Sequence, residues 1–109
     1  MLSARIREVG PDLLLVVEGG QAHIGAVSMA EPGPYGTIRT STVSGRGHRE
    51  SELTIPIASE IAETLRRRVV VLGGIHLDGI TEQEIADIKI NGSKLAGLVC
   101  GTIRSRDIY

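Results

Sequence analysis

Three histidines stand beside glycines in this chain, and their residue type and setting suit ligand binding better than any other feature. The surrounding segments read Gly-Gly-Gln-Ala-His23-Ile-Gly, Gly-Arg-Gly-His48-Arg-Glu and Gly-Gly-Ile-His76-Leu-Asp-Gly. Glycine lets a backbone or a ligand approach closely, and imidazole serves as a metal ligand or a proton donor near neutral pH. If the fold brings the three histidines together, they form one metal or cofactor site.

The segment around the second histidine has the composition of an anion-binding loop. Arg46 and Arg49 flank Gly47 and His48, with hydroxyl side chains on either side. Arginine side chains and successive backbone N–H groups together cradle phosphate groups. Glu50 adds a carboxylate for a metal or for general-base chemistry. The alternative interpretation is a solvated loop that only connects two elements.

The other two histidines have simpler alternatives as well. His23 can be a structural histidine that donates to a backbone carbonyl in a turn. Asp78, two residues after His76, either orients that imidazole and helps to bind a cation, or bonds to its own backbone in a turn. Cys100 lies among apolar residues and is interpreted as a small core residue rather than a catalytic thiol.

Composition restricts the function classes. The chain has 109 residues, which suits one domain, 1–109, and its 12 Lys plus Arg balance 13 Asp plus Glu. This balance disfavours nucleic-acid binding, as does an aromatic content of two tyrosines, Tyr35 and Tyr109. A single cysteine fits a reducing compartment. Because neither a signal peptide nor a membrane-length apolar run is recognisable, we expect a cytoplasmic protein without membrane association.

The first half of the chain predicts a sheet. Short β-prone runs separated by turn signals predict four strands, which are simplest to arrange as a largely antiparallel meander; they cover residues 5–9, 13–18, 23–30 and 37–43. Residues 13–17 are continuously apolar, which predicts a strand covered on both faces. We expect the third strand to begin at His23.

The second half predicts helices around one more strand. Thr54 is expected to cap a helix over residues 55–68, with Pro56 in its first turn, and residues 69–75 form an apolar strand. Thr81 and Glu84 form a capping box, so a helix should begin at Glu82. Ile80 and Ile85 suit a hydrophobic staple at the same helix start.

We expect this helix to pause at the sequence Asn91-Gly92-Ser93, with another helix continuing to about residue 103. The predicted fold is α+β, in the order ββββ-α-β-α-α. A mostly antiparallel sheet of about five strands should carry two or three helices on one face. A sheet of this kind leaves an open edge, which is our reason for expecting a homodimer.

The ordered combination of motifs resembles a known family. Ala-His23-Ile-Gly-Ala-Val, then Gly-His48-Arg-Glu, then Gly-Ile-His76-Leu-Asp-Gly-Ile-Thr are similar to segments of the small D subunit of gallate decarboxylase and its archaeal relatives. That family is described as prenylated-flavin chaperones, companions of UbiD-type decarboxylases. The resemblance covers about residues 13–96.

The resemblance implies a non-catalytic accessory protein that binds prenylated flavin mononucleotide (prenylated FMN, or FMN itself) and delivers or matures it for a UbiD-type decarboxylase. The residues expected to bind the cofactor are His23, Arg46, Gly47, His48, Arg49 and His76. A divalent metal would be held by His23, His48, His76, Glu50 and Asp78. Tyr35 is the aromatic residue expected to cover the flavin, unless aliphatic surface or a subunit partner does so.

Two other functions fit the same residues. The first is a small metal-dependent hydrolase or isomerase, with the three histidines as ligands and Glu50 as general base. The second is a structural interaction domain, in which the histidines lie far apart.

Overall fold

Five strands and two helices make up the part of the chain that the computed structural model describes, which is residues 2–21, 23–46, 49–75 and 81–107. A short 3-10 turn, Pro34–Gly36, joins the third and fourth strands. In chain order the elements are β1 (Ser3–Val9), β2 (Asp12–Gly19), β3 (Ala26–Pro32), β4 (Ile38–Ser44), α1 (Ser51–Leu65), β5 (Val69–Ile75) and α2 (Glu82–Asp107).

The strands form one mixed sheet in the order β1-β2-β5-β3-β4. β5 runs parallel to β2 and antiparallel to β3, and the remaining pairs are antiparallel. The α+β class and the mostly antiparallel sheet are confirmed, but the uninterrupted four-stranded meander is wrong. The apolar β5 lies between β2 and β3 because a strand without polar residues is most stable with a neighbour on each side.

The helices cover one face of this sheet. Along β2, Leu13, Leu15 and Val17 are buried, whereas the alternate residues Leu14 and Val16 are only partly buried. Strand β5 alternates in the same way up to Leu72. The prediction that residues 13–17 are covered on both faces is therefore wrong. The apolar run reflects one face under the helices and a second face that no described helix covers.

Helix α1 begins four residues earlier than the sequence predicts. Glu50, not Thr54, is its N-cap residue, and Pro56 lies inside the helix on its exposed side. The Thr54 hydroxyl is buried and bonds to Ser28 Oγ of β3 at 2.7 Å. The Thr54 hydroxyl thus bonds to another strand instead of capping the helix as predicted. The helix predicted over residues 55–68 is observed over Ser51–Leu65.

Helix α2 is continuous, so the predicted pause at Asn91-Gly92-Ser93 is wrong and the order is ββββ-α-β-α. Gly92 is buried where α2 meets α1, and a Cβ at this position would approach Leu53 Cδ1 to 2.6 Å. Ser93 Oγ donates to Glu60 of α1 at 3.3 Å. Gly92 therefore brings the helices close together and does not interrupt α2.

Other predictions for α2 are confirmed. Cys100 is 6 % exposed in the core, and burial raises the pKa of its thiol. The capping box forms in both directions, since Thr81 N–H donates to Glu84 Oε1 and Glu84 N–H donates to Thr81 Oγ1, each at 3.1 Å. Ile85 is buried, and its predicted staple partner Ile80 lies outside the described residues.

We expect Thr81→Ala to lower the free energy of unfolding by about 1 kcal/mol, because it removes a side-chain acceptor from the start of α2. Urea denaturation followed by circular dichroism measures the change. Thr102→Ala is the control, since its hydroxyl donates to Leu98 O on the exposed side of the same helix, away from the helix start. Equal losses in the two variants would contradict the capping role.

Candidate functional site

One end of the sheet carries His23 and Glu50, two of the candidate site residues that the structure describes. The parallel strands β2 and β5 end side by side, with Gly19 opposite Ile75, and β3 begins there with Ala26 opposite Gly73. His23 lies in the connection from β2 to β3, just before β3 starts, so the predicted strand start at His23 is wrong. Within this connection the His23 side chain turns toward Glu50, the N-cap residue of α1.

His23 is paired with Glu50. His23 Nε2 lies 3.1 Å from Glu50 Oε1, and its Nδ1 lies 3.1 Å from the carbonyl oxygen of Gln21. The Glu50 side chain is 1 % exposed, whereas that of His23 is 27 % exposed. A buried carboxylate requires polar partners, and the imidazole supplies one at the boundary with solvent.

The two acceptors define what the His23 ring can do. A carbonyl oxygen and an ionised carboxylate both accept, so a protonated imidazole donates to both at once. A neutral ring with its hydrogen on Nδ1 donates to Gln21 and leaves a lone pair on Nε2. Metal-binding histidines commonly have this second arrangement, in which a backbone carbonyl fixes the tautomer. The pair can thus act as a charged pair or as two metal ligands.

Three glycines make this pairing possible. A Cβ on Gly25 would overlap the Glu50 carboxylate, and a Cβ on Gly74 would overlap the carbonyl oxygen of His23. A Cβ on Gly73 would overlap the Thr54 methyl group and lie 3.4 Å from Glu50 Cβ. The absent side chains therefore let α1 and the His23 segment pack directly on the end of the sheet.

A chain of hydroxyls holds the first turn of α1 against the sheet. Ser28 Oγ lies 2.7 Å from Thr54 Oγ1 and 2.9 Å from Thr42 Oγ1, which links α1 to β3 and β4. Ser28 and Thr54 are buried, and each hydroxyl has a partner. Since Thr54 lies one turn after Glu50, these hydrogen-bonded hydroxyl groups also fix the position of the Glu50 carboxylate. Sequence reasoning missed it because only the alternating burial of β3 reveals that Ser28 points inward.

An apolar pocket of about 290 Å³ lies beside the pair. Its floor consists of side chains and glycine backbone on the sheet face opposite the helices, and its lining residues are Val16, Glu18, His23, Ile24, Leu72, Gly73 and Gly74. Ile24 is 70 % exposed and stands at the rim. The pocket combines aliphatic walls with a carboxylate and an imidazole, the usual composition of a small-molecule site.

The two predicted anion-binding arginines are exposed on either side of residues 47–48. Arg49 Nε donates to Glu52 Oε2 at 2.7 Å, which raises the pKa of Arg49 and lowers that of Glu52. Lys89 of α2 also lies 3.6 Å from Glu52. Arg49 therefore lies beside the start of α1 with one donor engaged, while Arg46 is in the turn after β4.

Only part of the predicted site falls on described residues. Gly47, His48, His76 and Asp78 lie outside them, so convergence of the three histidines stays a prediction. Within the described ranges, no three His, Cys, Asp or Glu side chains come together in a group that could hold a metal ion. Tyr35 follows β3 at the end of the sheet opposite to His23. The prediction that Tyr35 covers a flavin bound at His23 is therefore wrong.

Comparison with known proteins identifies the family. The model of the prenylated flavin chaperone LpdD-like domain matches residues 1–104. The chain belongs to this family. Protein LpdD of Lactiplantibacillus plantarum is 33% identical over 88 residues, which are 78% of this chain and 64% of that protein. The chain therefore spans just under two thirds of the length of this curated relative.

Among solved structures, a chain from a chaperone complex for yeast 20S proteasome assembly has a similar fold, with a TM-score of 0.61. The similarity covers 91% of this chain and 94% of the other at 13% sequence identity, so it concerns the fold alone. In the described part of this LpdD-like chain, neither helix is long and apolar enough to cross a membrane.

We expect Gly74→Ala to lower the free energy of unfolding by about 1–3 kcal/mol, because its Cβ must displace the His23 backbone. Chemical denaturation measures the loss, and the NMR signals of the His23 ring should shift in the folded variant. Gly97→Ala is the control, since nothing lies within 4 Å of the added methyl group on the exposed side of α2. We expect that variant to be unchanged or more stable by about 1 kcal/mol.

Proposed function

We propose that this LpdD-like chaperone holds prenylated FMN in the pocket beside His23 and passes it to a UbiD-type decarboxylase. The observation that carries the proposal is the position of His23, paired with the buried Glu50, in the lining of an apolar pocket floored by glycine backbone. A planar ring with aliphatic substituents suits such a floor. The family description supports the choice of a prenylated flavin over other ring systems.

The pocket suits the ring system rather than the whole nucleotide. Its volume of about 290 Å³ is at the lower limit for small-molecule sites, which span about 300–1,000 Å³. We therefore place the isoalloxazine on Val16 and Leu72 and the ribityl phosphate beyond the rim. Arg46 and Arg49, with residues 47–48 between them, are the proposed phosphate contacts, because the guanidinium group binds phosphate with two parallel hydrogen bonds.

The composition of the pocket also suits release. Its described lining has no aromatic side chain to stack on a flavin, and Tyr35 lies at the far end of the sheet. Binding then rests on aliphatic contact, on the pair and on the proposed phosphate contacts. A carrier needs this balance because it must hold a cofactor and also give it up, so we propose no catalytic role.

We expect purified protein to retain prenylated FMN during anaerobic gel filtration, with a perturbed flavin absorbance spectrum. His23→Ala should weaken binding at least about tenfold, since a hydrogen bond to a charged group contributes about 1.5–3 kcal/mol. Glu50→Gln should weaken binding through His23, because Glu50 Oε1 lies 3.1 Å from His23 Nε2 and positions the imidazole. Tyr35→Ala is the matched control and should bind normally, because its side chain is fully exposed at the other end of the sheet.

Transfer is measured in a second step. Protein loaded with the cofactor is mixed with the apo form of a UbiD-type decarboxylase, and decarboxylation of its substrate is followed. Wild-type protein that does not retain the cofactor, or retention that is equal in His23→Ala, would overturn the proposed site. Retention without transfer would overturn the delivery role.

A divalent metal is a separate part of the proposal. With its hydrogen on Nδ1, the His23 ring presents Nε2 beside Glu50 Oε1, and these are suitable ligands for a divalent cation. His48, His76 and Asp78 are the proposed remaining ligands. When bound, such an ion would neutralise the buried carboxylate and attract the phosphate of the cofactor.

We expect about one divalent ion per chain in protein purified without chelator, measured by plasma mass spectrometry. The ion should be lost in His23→Ala and in Glu50→Gln and retained in Tyr35→Ala. Retention of the metal content in both site variants would contradict this ligand set. We further propose a cytoplasmic location, consistent with the single buried Cys100, and a homodimer, which would cover an open edge of the sheet.

A further inference from the structure

Three aliphatic side chains line the pocket beside His23, and one of them differs from the other two in position. Val16 and Leu72 lie on β2 and β5 and are partly buried in the surface of the sheet. Ile24 lies in the connection that precedes β3 and is 70 % exposed. Val16 and Leu72 therefore belong to the floor of the pocket, and Ile24 forms an aliphatic wall beside that floor.

The backbone on either side of Ile24 is held by the sheet. Gly25 N–H donates to the carbonyl oxygen of Gly73 in β5 at 2.8 Å, and the Gly25 carbonyl accepts from Gly45 N–H at 2.6 Å. On the other side, the carbonyl of His23 lies against β5, where an added side chain would overlap it. These contacts fix the residues before and after Ile24, so an exposed isoleucine is kept at one place on the pocket rim.

The two parts of a prenylated flavin need different contacts. The isoalloxazine ring system is planar, so it can lie flat on a floor of strand residues. The prenyl group adds a saturated ring with two methyl groups, which stand out of the plane of the flavin. A flat floor cannot enclose these methyl groups, and their removal from water requires an aliphatic side chain beside the ring. FMN without the prenyl group has no such requirement.

We propose that Ile24 is the residue by which the pocket selects prenylated FMN over FMN, because its side chain packs on the methyl groups of the added ring. The selection rests on the proposed function, since it requires the isoalloxazine to lie on Val16 and Leu72. The floor then contacts the part that both cofactors share, and the wall contacts the part that only the prenylated cofactor has.

The other side chains of the lining are unsuited to this contact. Glu18 lies 3.6 Å from Arg5, and His23 is paired with the buried Glu50. A saturated ring placed on either group would remove it from water without replacing its hydrogen bonds, which opposes binding. The two glycines of the lining have no side chain to offer. Ile24 is the lining residue that remains for the prenyl methyl groups.

The test compares two dissociation constants, for prenylated FMN and for FMN, measured by anaerobic titration of the flavin absorbance. We expect wild-type protein to bind prenylated FMN more tightly. In Ile24→Ala, the preference should fall at least about tenfold, since three carbons are lost and each buried methylene contributes about fourfold in affinity. The dissociation constant for FMN should change less than about threefold, because FMN lacks the group that contacts Ile24.

Two further variants separate this role from a general effect on the protein. Ile24→Leu keeps the volume of the side chain and should keep the preference within about threefold. Ile90→Ala is the matched control, because Ile90 is also an exposed isoleucine, at 55 %, but lies on α2 on the other side of the sheet. Both of its dissociation constants should equal those of wild-type protein. Circular dichroism checks that each variant is folded.

NMR of protein with labelled isoleucine methyl groups detects the contact directly. We expect nuclear Overhauser effects between the methyl protons of Ile24 and the prenyl methyl protons of the bound cofactor. Ile90 should show none. Effects from other isoleucines alone would contradict the position assigned to Ile24.

The possible failures of the two proposals are distinguishable. Equal binding of both flavins by wild-type protein, or an unchanged preference in Ile24→Ala, would overturn the selective role of Ile24 and leave the pocket assignment standing. An equal loss of affinity for both flavins in Ile24→Ala would also overturn the selective role. Binding of neither flavin by wild-type protein would overturn the proposed function and the role of Ile24 together.

Discussion

The close packing of backbone at the end of the sheet is the constraint on which the rest of the site depends. Gly73 and Gly74 lie on adjacent positions of β5 and so point to opposite faces. α1 packs on Gly73 from one side, and the carbonyl of His23 lies over Gly74 on the other. Side chains at these positions would separate both segments from the sheet, and Glu50 would no longer reach His23.

Burial of Glu50 follows from this packing and explains the local architecture. A carboxylate that is 1 % exposed needs polar partners, and the imidazole of His23 provides one at 3.1 Å. The hydroxyls of Ser28, Thr42 and Thr54 hold the first turn of α1 in place without adding a charge. The carboxylate is thus positioned by the core, while the imidazole is in contact with solvent.

The two faces of the sheet have different roles. The helix-covered face contains the aliphatic core and Cys100, which provide stability. The opposite face, which no described helix covers, contains the pocket beside His23 and a central surface of partly buried aliphatic side chains. The covered face stabilises the fold, and the opposite face offers the surface on which we place the cofactor.

Local sequence signals determined the elements whose partners are near in the chain. The capping box at Thr81, the apolar β5 and the α+β class depend on spacing of a few residues, so the sequence predicts them. The tertiary structure alone decided the place of β5 between β2 and β3, the continuity of α2 through Gly92, and the His23–Glu50 pair. These features depend on contacts between residues that are distant in sequence. Whether a glycine marks a turn or a close contact is decided by its neighbour in space, which the sequence does not give.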